Sequence, residues 1–190
     1  MTAPGTARED QKSREVSATK SPLLNDCTTT QGGVEAKAVR SQDPTGAIAV
    51  LLSPTGERTF ARQEKAVFGL RPEDIEEEWF RGLSLLHVPA YSLFAEPLAS
   101  TTRRAVEIAR DGGAIISIDL SSAIGIREYG GARLALDLAL LQPELVFANE
   151  AEASELGAPL EGMAKVPVVK LGTRGARVFN DGSRTGPKFP

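Results

Sequence analysis

At 190 residues, 41% of them hydrophobic and 25% charged, the chain is long enough for one domain with its own core. A formal net charge of -3 argues against an electrostatic nucleic-acid binder, which concentrates lysine and arginine on one face. The single cysteine excludes an intrachain disulfide framework and a cysteine-based zinc cluster, and no apolar run reaches the roughly 20 residues that span a bilayer.

Residues 1–42 differ from the rest. Their large apolar residues are Met1, Val16, Leu23, Leu24, Val34 and Val39, and no aromatic precedes Phe60. Such a segment buries too little apolar surface to offset the entropy of ordering, so it is expected to be disordered or unrelated to the fold after it. It has no apolar signal-peptide region, and Glu9, Asp10 and Glu15 argue against a transit peptide, so a cytoplasmic location is the expectation. Cys27 lies in this segment with no adjacent base, which argues against a catalytic thiol.

The foldable part alternates in type. GAIAVLL (46–52) and RTFAR (58–62), separated by SPTGE, read as a β-hairpin. PEDIEEEWF, opened by Pro72, reads as a short acidic helix with a solvated face. LSLLHVPAY (83–91) is a strand and its exit. In EPLASTTRRAVEIARDGG, Leu98, Thr102, Ala105, Ile108 and Ala109 share one helical face, and Gly112 and Gly113 stop the helix. AIISIDL (114–120) is apolar on both faces up to Asp119, the pattern of a central parallel strand covered by helices. GGARLALDLALLQ is a second amphipathic helix, stopped by Pro143. ELVFAN (144–149) is a strand and EAEASELG a short helix. VPVVKLG (166–172) and ARVFND (176–181) are strands joined through GTRG, and SRTGPKFP (183–190) reads as a loop. The alternation is that of an α/β fold with parallel strands and helical crossovers.

Sites in such sheets form at the carboxyl ends of the strands, and three strands here end in polar groups. They are Asp119 with Ser121 and Ser122, Asn149 with Glu152, and Lys170 with Gly172, Thr173 and Gly175. Asn149 and Glu152 fit a reciprocal helix cap equally with a phosphate-binding amide and a carboxylate that holds Mg²⁺ through water. Gly172 and Gly175 fit a hairpin turn or a loop whose backbone approaches an anion beside Lys170. No Walker A and no G-x-G-x-x-G sequence occurs. His87, the sole histidine, lies in an apolar strand and is expected to be packed or hydrogen-bonded rather than catalytic.

Taken in order, TGAIAVLLSPTGERTF, LSLLHVPAYSL, GGAIISIDLSS, LVFANEAEASELG and VPVVKLGTRGARVFNDG resemble the ribokinase-like (PfkB) carbohydrate kinases over about 43–182. The resemblance implies a three-layer α/β/α sandwich, here incomplete, with the hairpin at 46–62 as a β lid, a core over 72–182 and a stub at 183–190. It implies ATP-dependent transfer of a γ-phosphoryl group to a hydroxyl of a sugar or nucleoside, with Mg²⁺ and without a nucleic-acid or membrane partner. Asn149, Lys170, Gly172 and Gly175 would hold nucleotide phosphates, Glu152 the metal, and Asp119 would lie near the acceptor. A homodimer through the lid is a further implication. The sequence departs from the family at both ends. The G-A-G-D loop, whose Asp would deprotonate the acceptor hydroxyl, does not follow VFND. The N-terminal βα unit and sugar-binding glycine pair are not recognisable: the candidate, Gly32-Gly33, has Lys37 where the family carries Asn and stands too close to Gly46 for the elements that should intervene. A non-catalytic remnant or interaction module with the same core is the alternative reading.

Overall fold

The computed structural model describes residues 37, 39, 46–52, 58–63, 69–179 and 184–185. The chain separates into two units, Met1–Ala38 and Val39–Pro190, and every strand and helix among the described residues belongs to the second. The expectations for Cys27, Gly32-Gly33 and the turn at 53–57 lie outside the described residues, as does nearly all of the segment 1–42.

The predicted hairpin forms a two-stranded antiparallel ribbon, β1 (Ala47–Leu52) and β2 (Arg58–Gln63), with Val50 opposite Phe60. Val50, Leu51 and Leu52 of β1 are all exposed.

The second sheet has six strands in sequence order: β3 (Leu85–Pro89), β4 (Ile115–Asp119), β5 (Leu145–Asn149), β6 (Val166–Lys170), β7 (Ala176–Val178) and β8 (Arg184–Thr185). β3 to β6 are parallel, and β7 and β8 continue antiparallel. Four helices lie between the parallel strands. They are α1 (Leu98–Asp111), α2 (Ala123–Tyr129), α3 (Gly131–Leu141) and α4 (Glu150–Leu156). Each crossover steps to the next strand on the same side, and right-handed crossovers of that kind stack their helices on one face. The burial pattern agrees. Val88, Ile116, Ile118, Val146, Ala148 and Val169 form one core with Val106 and Ala109 of α1, Ile126 of α2, Leu134 and Leu138 of α3 and Leu156 of α4. Each fully buried aliphatic side chain of this size stabilises the fold by about 1.5–3 kcal/mol.

The alternate residues are less uniform: Ser117 and Val168 are buried, but the others are not. Leu85 and Ile115 are 43% and 44% exposed, His87 is exposed and Phe147 is half-buried. Of the three layers expected, the described residues therefore supply the sheet and one helical layer. The apolar character of both faces of 114–120 is real, but these helices cover only the face carrying Ile116 and Ile118.

Two local expectations are corrected. PEDIEEEWF is not one helix but two 3-10 turns, Pro72–Asp74 and Glu77–Phe80. Its acids are partly used: Glu77 pairs with Arg104 of α1 at 2.6 Å, and Glu78 pairs with Arg81. The C-terminal stretch read as a loop contains β8, which pairs with β7 at Val178 and Arg184. His87, expected to be packed or hydrogen-bonded, is exposed on the β3 face that these helices leave uncovered. The hydrogen-bonded half of that expectation holds, with His87 Nδ1 lying 3.0 Å from Ser117 Oγ and the ring edge-on to Phe147. Helix α2 has no counterpart among the elements expected from the sequence.

Candidate functional site

The parallel arrangement of β4, β5 and β6 brings their carboxyl ends to one edge of the sheet. Asp119, Asn149 and Lys170 are each the last residue of their strand. Asn149 lies beside Lys170 in register, and Phe147 lies beside Asp119. Lys170 Nζ reaches across the end of β5 to Asp119 Oδ2 at 2.5 Å. The three sequence-predicted groups thus form one cluster.

Asp119 is fixed from below. Its Oδ1 accepts the Ser121 backbone N–H at 2.9 Å and lies 3.3 Å from the Ser121 hydroxyl, which also donates to the Asp119 carbonyl at 2.8 Å. Ser121 takes up φ 64, a left-handed conformation uncommon for a residue with a side chain. Ser122 then caps α2, its Oγ accepting the Gly125 N–H at 3.1 Å.

Asn149 and Glu152 form a full capping box. Asn149 Oδ1 accepts the Glu152 N–H at 2.8 Å, and Glu152 Oε2 accepts the Asn149 N–H at 2.7 Å. Asn149 is exposed while Glu152 is 4% exposed. With Oδ1 engaged, the amide Nδ2–H₂ is the part of Asn149 left to meet a ligand, and it is a donor suited to an anion. Glu152 is turned inward beneath it. Of the two readings open for this pair, the cap is the one the hydrogen bonds display.

The loop after Lys170 is a 3-10 turn, Gly172–Arg174, closing an antiparallel hairpin between β6 and β7. Gly172 and Gly175 have φ 59 and 88, so glycine is required by the turn. A side chain built at Gly172 would meet nothing within 4 Å, so the backbone there is open to approach. Leu171 N–H donates to the Gly175 carbonyl and Gly175 N–H to that of Gly172, which holds the turn closed. Arg174, which sequence reasoning did not single out, pairs with Glu150 in the first turn of α4. Its alternation with Lys170 around the glycines was the one available signal.

The donor set suits an anion better than a bare metal. A lysine, an asparagine amide and an open glycine turn share one edge, whereas no group of three acids, histidines or cysteines capable of holding a metal ion stands among the described residues. A carboxylate engaged as Glu152 is could act on a cation through water from its other oxygen. No helix among the described residues is long and apolar enough to cross a membrane.

No family model matches the chain. A probable fructokinase-2 of Arabidopsis thaliana is 36% identical over 72 residues, covering 37% of this chain and 22% of that protein. The fructokinase of Solanum tuberosum is 26% identical over 134 residues, covering 68% and 42%. A fructokinase from Xylella fastidiosa superposes with a TM-score of 0.70 at 21% identity, covering 86% of this chain and 56% of that one. Over part of its length, the chain is related to the ribokinase-like carbohydrate kinases.

The likeness extends beyond fructokinases: adenosine kinase from Sinorhizobium meliloti superposes with a TM-score of 0.69 at 22% identity, covering 75% and 46%. The ribokinase-like fold is therefore present and incomplete, and the chain spans 22% to 56% of the length of these relatives.

Proposed function

We propose that the chain carries the nucleotide-holding part of an ATP-dependent phosphotransferase of the carbohydrate-kinase type. The observation that carries this reading is the convergence of Asp119, Asn149 and Lys170 on one strand-end edge beside the open turn at Gly172. ATP would supply the γ-phosphoryl group, which passes to a hydroxyl of a sugar or nucleoside and leaves ADP. The chain's own residues bind and orient. Lys170 offsets phosphate charge, the Asn149 amide donates to a phosphate oxygen, and Gly172 and Gly175 let the backbone approach. Glu152 holds Asn149 in place and, through water, would steady Mg²⁺. Asp119 lies at the acceptor side. Such chemistry rests mainly on positioning and charge neutralisation, which a sparse polar cluster can provide. The ribbon β1–β2 is the lid of this reading and a surface for a second copy, and the setting is the cytoplasm.

A second reading is a nucleotide-binding remnant without turnover of its own. One assay separates the two. The purified 190-residue chain is given Mg·ATP with fructose, ribose, 2-keto-3-deoxygluconate or nucleosides, and ADP release is measured. Acceptor-dependent release establishes the kinase. ATP binding without release, lost in Asn149→Ala, establishes the remnant. A chain that binds no Mg·ATP overturns both.

A further inference from the structure

Both cations at the strand-end edge already have an acid in hand. Lys170 is paired with Asp119 and Arg174 with Glu150. The first pair is asymmetric. The Asp119 side chain is 21% exposed and anchored by Ser121, whereas the Lys170 side chain is 45% exposed on a flexible four-carbon stem. Asp119 comes from β4 and Lys170 from β6, so their contact passes over the carboxyl end of β5, where Asn149 stands. A ligand seated on the Asn149 amide would lie in the path of that contact.

We infer that Asp119 is an internal counter-ion that parks Lys170 across the end of β5, and that a polyphosphate-bearing ligand binds there by exchanging places with the Asp119 carboxylate. The inference rests on the phosphate-binding reading of this edge and adds a step to it. Lys170 is the moving part, Asp119 the fixed part, and Asp119 sets how tightly the edge holds an anion. A multiply charged phosphate chain outcompetes one carboxylate for the ammonium, whereas a singly charged anion gains little by the exchange. The edge therefore selects for polyphosphates over simple anions.

Asp119→Asn is the informative change, because the amide oxygen can still accept the Ser121 N–H while the charge is removed. Inorganic tripolyphosphate and Mg·ATP are titrated calorimetrically into the full chain, Asp119→Asn, Lys170→Met and the double variant. Far-UV circular dichroism confirms that each is folded, with Lys170→Gln as the substitute if Lys170→Met aggregates. The expected result is a roughly two- to fivefold tightening of tripolyphosphate in Asp119→Asn, about the worth of a partly exposed ion pair. Lys170→Met weakens binding, and Asp119→Asn adds nothing in its presence. Unchanged or weaker binding in Asp119→Asn overturns the inference. So does an equal gain with Lys170 removed, which would make Asp119 a mere repulsive charge, and so does a failure of all four proteins to bind tripolyphosphate. If tripolyphosphate follows the expected pattern and Mg·ATP does not bind, the counter-ion role stands and the nucleotide reading falls. If Mg·ATP binds the wild type and Asp119→Asn equally, the reverse holds.

Discussion

Asn149 has a duty that is independent of any ligand, because it closes the first turn of α4 together with Glu152. Asn149→Ala is expected to cost about 1 kcal/mol of stability, while Asn149→Asp keeps the cap; urea denaturation of both variants measures the difference. Anion binding discriminates further, since Asp would retain the cap yet lose the donor amide. Glu144 makes a pH-dependent contribution. Burial pushes its carboxyl up, but the Ile116 N–H at 2.9 Å and the Lys165 ammonium at 3.2 Å outweigh this and hold it below the usual carboxylate range. A carboxyl lowered in the folded state adds stability that is full above its unfolded value and is lost as pH falls through its folded one. Glu144→Gln should flatten that acid limb, read as the urea midpoint across that pH range. At this scale the strand-end residues were legible, because polar groups ending apolar runs are conspicuous. The bond between Asp119 and Lys170 was not, since 51 residues separate them and only the sheet register joins them.

The helices are held to one another by polar contacts that periodicity does not reveal. Asp137 of α3 is 8% exposed, accepts the Arg103 guanidinium of α1 at 3.0 Å, and accepts the Tyr129 hydroxyl of α2 at 2.6 Å. Tyr129 also stacks on Phe94 and lies beneath Arg133. Asp137→Ala takes the acceptor from the part-buried Tyr129 hydroxyl and one of two acids from Arg103, which keeps Glu96 at 3.2 Å, and is expected to cost about 1–2 kcal/mol in a urea titration. Gly131 begins α3 where α4 ends. A Cβ there would fall 2.2 Å from the Glu155 carbonyl oxygen, which is backbone and cannot swing aside. Gly131→Ala should therefore lower the thermal midpoint more than an alanine in an exposed helix would. Long amphipathic elements such as α1 and α3 were readable from their apolar spacing. Helix α2 was hidden because it is seven residues long and flanked by serines and glycines that read as loop. The acidic run 73–78 is not one helix because Ile75 and Glu76 are extended between its two turns, the second of which is tied to α1 by the pair of Glu77 and Arg104.

The molecule as a whole has two unlike sheet faces, and substitutions should report them. Ile116 is fully buried against the helices, so Ile116→Ala is expected to cost about 2–5 kcal/mol. Ile115, its neighbour, is 44% exposed on the opposite face, and Ile115→Ala should cost well under half of that. Urea denaturation of the two variants compares the faces directly. Fold class was legible from the alternation of strands and helices, whereas the sidedness was not, because both faces of β4 are apolar in the sequence and only the topology decides which one the helices cover. The account's central claim is that the edge formed by Asp119, Asn149 and Lys170 holds a nucleotide. Its most direct test is calorimetric titration of Mg·ATP into the chain and into Lys170→Ala. Saturable binding by the former, weakened about tenfold in the latter, is the predicted result. No saturable binding, or equal affinity in the two proteins, would contradict it.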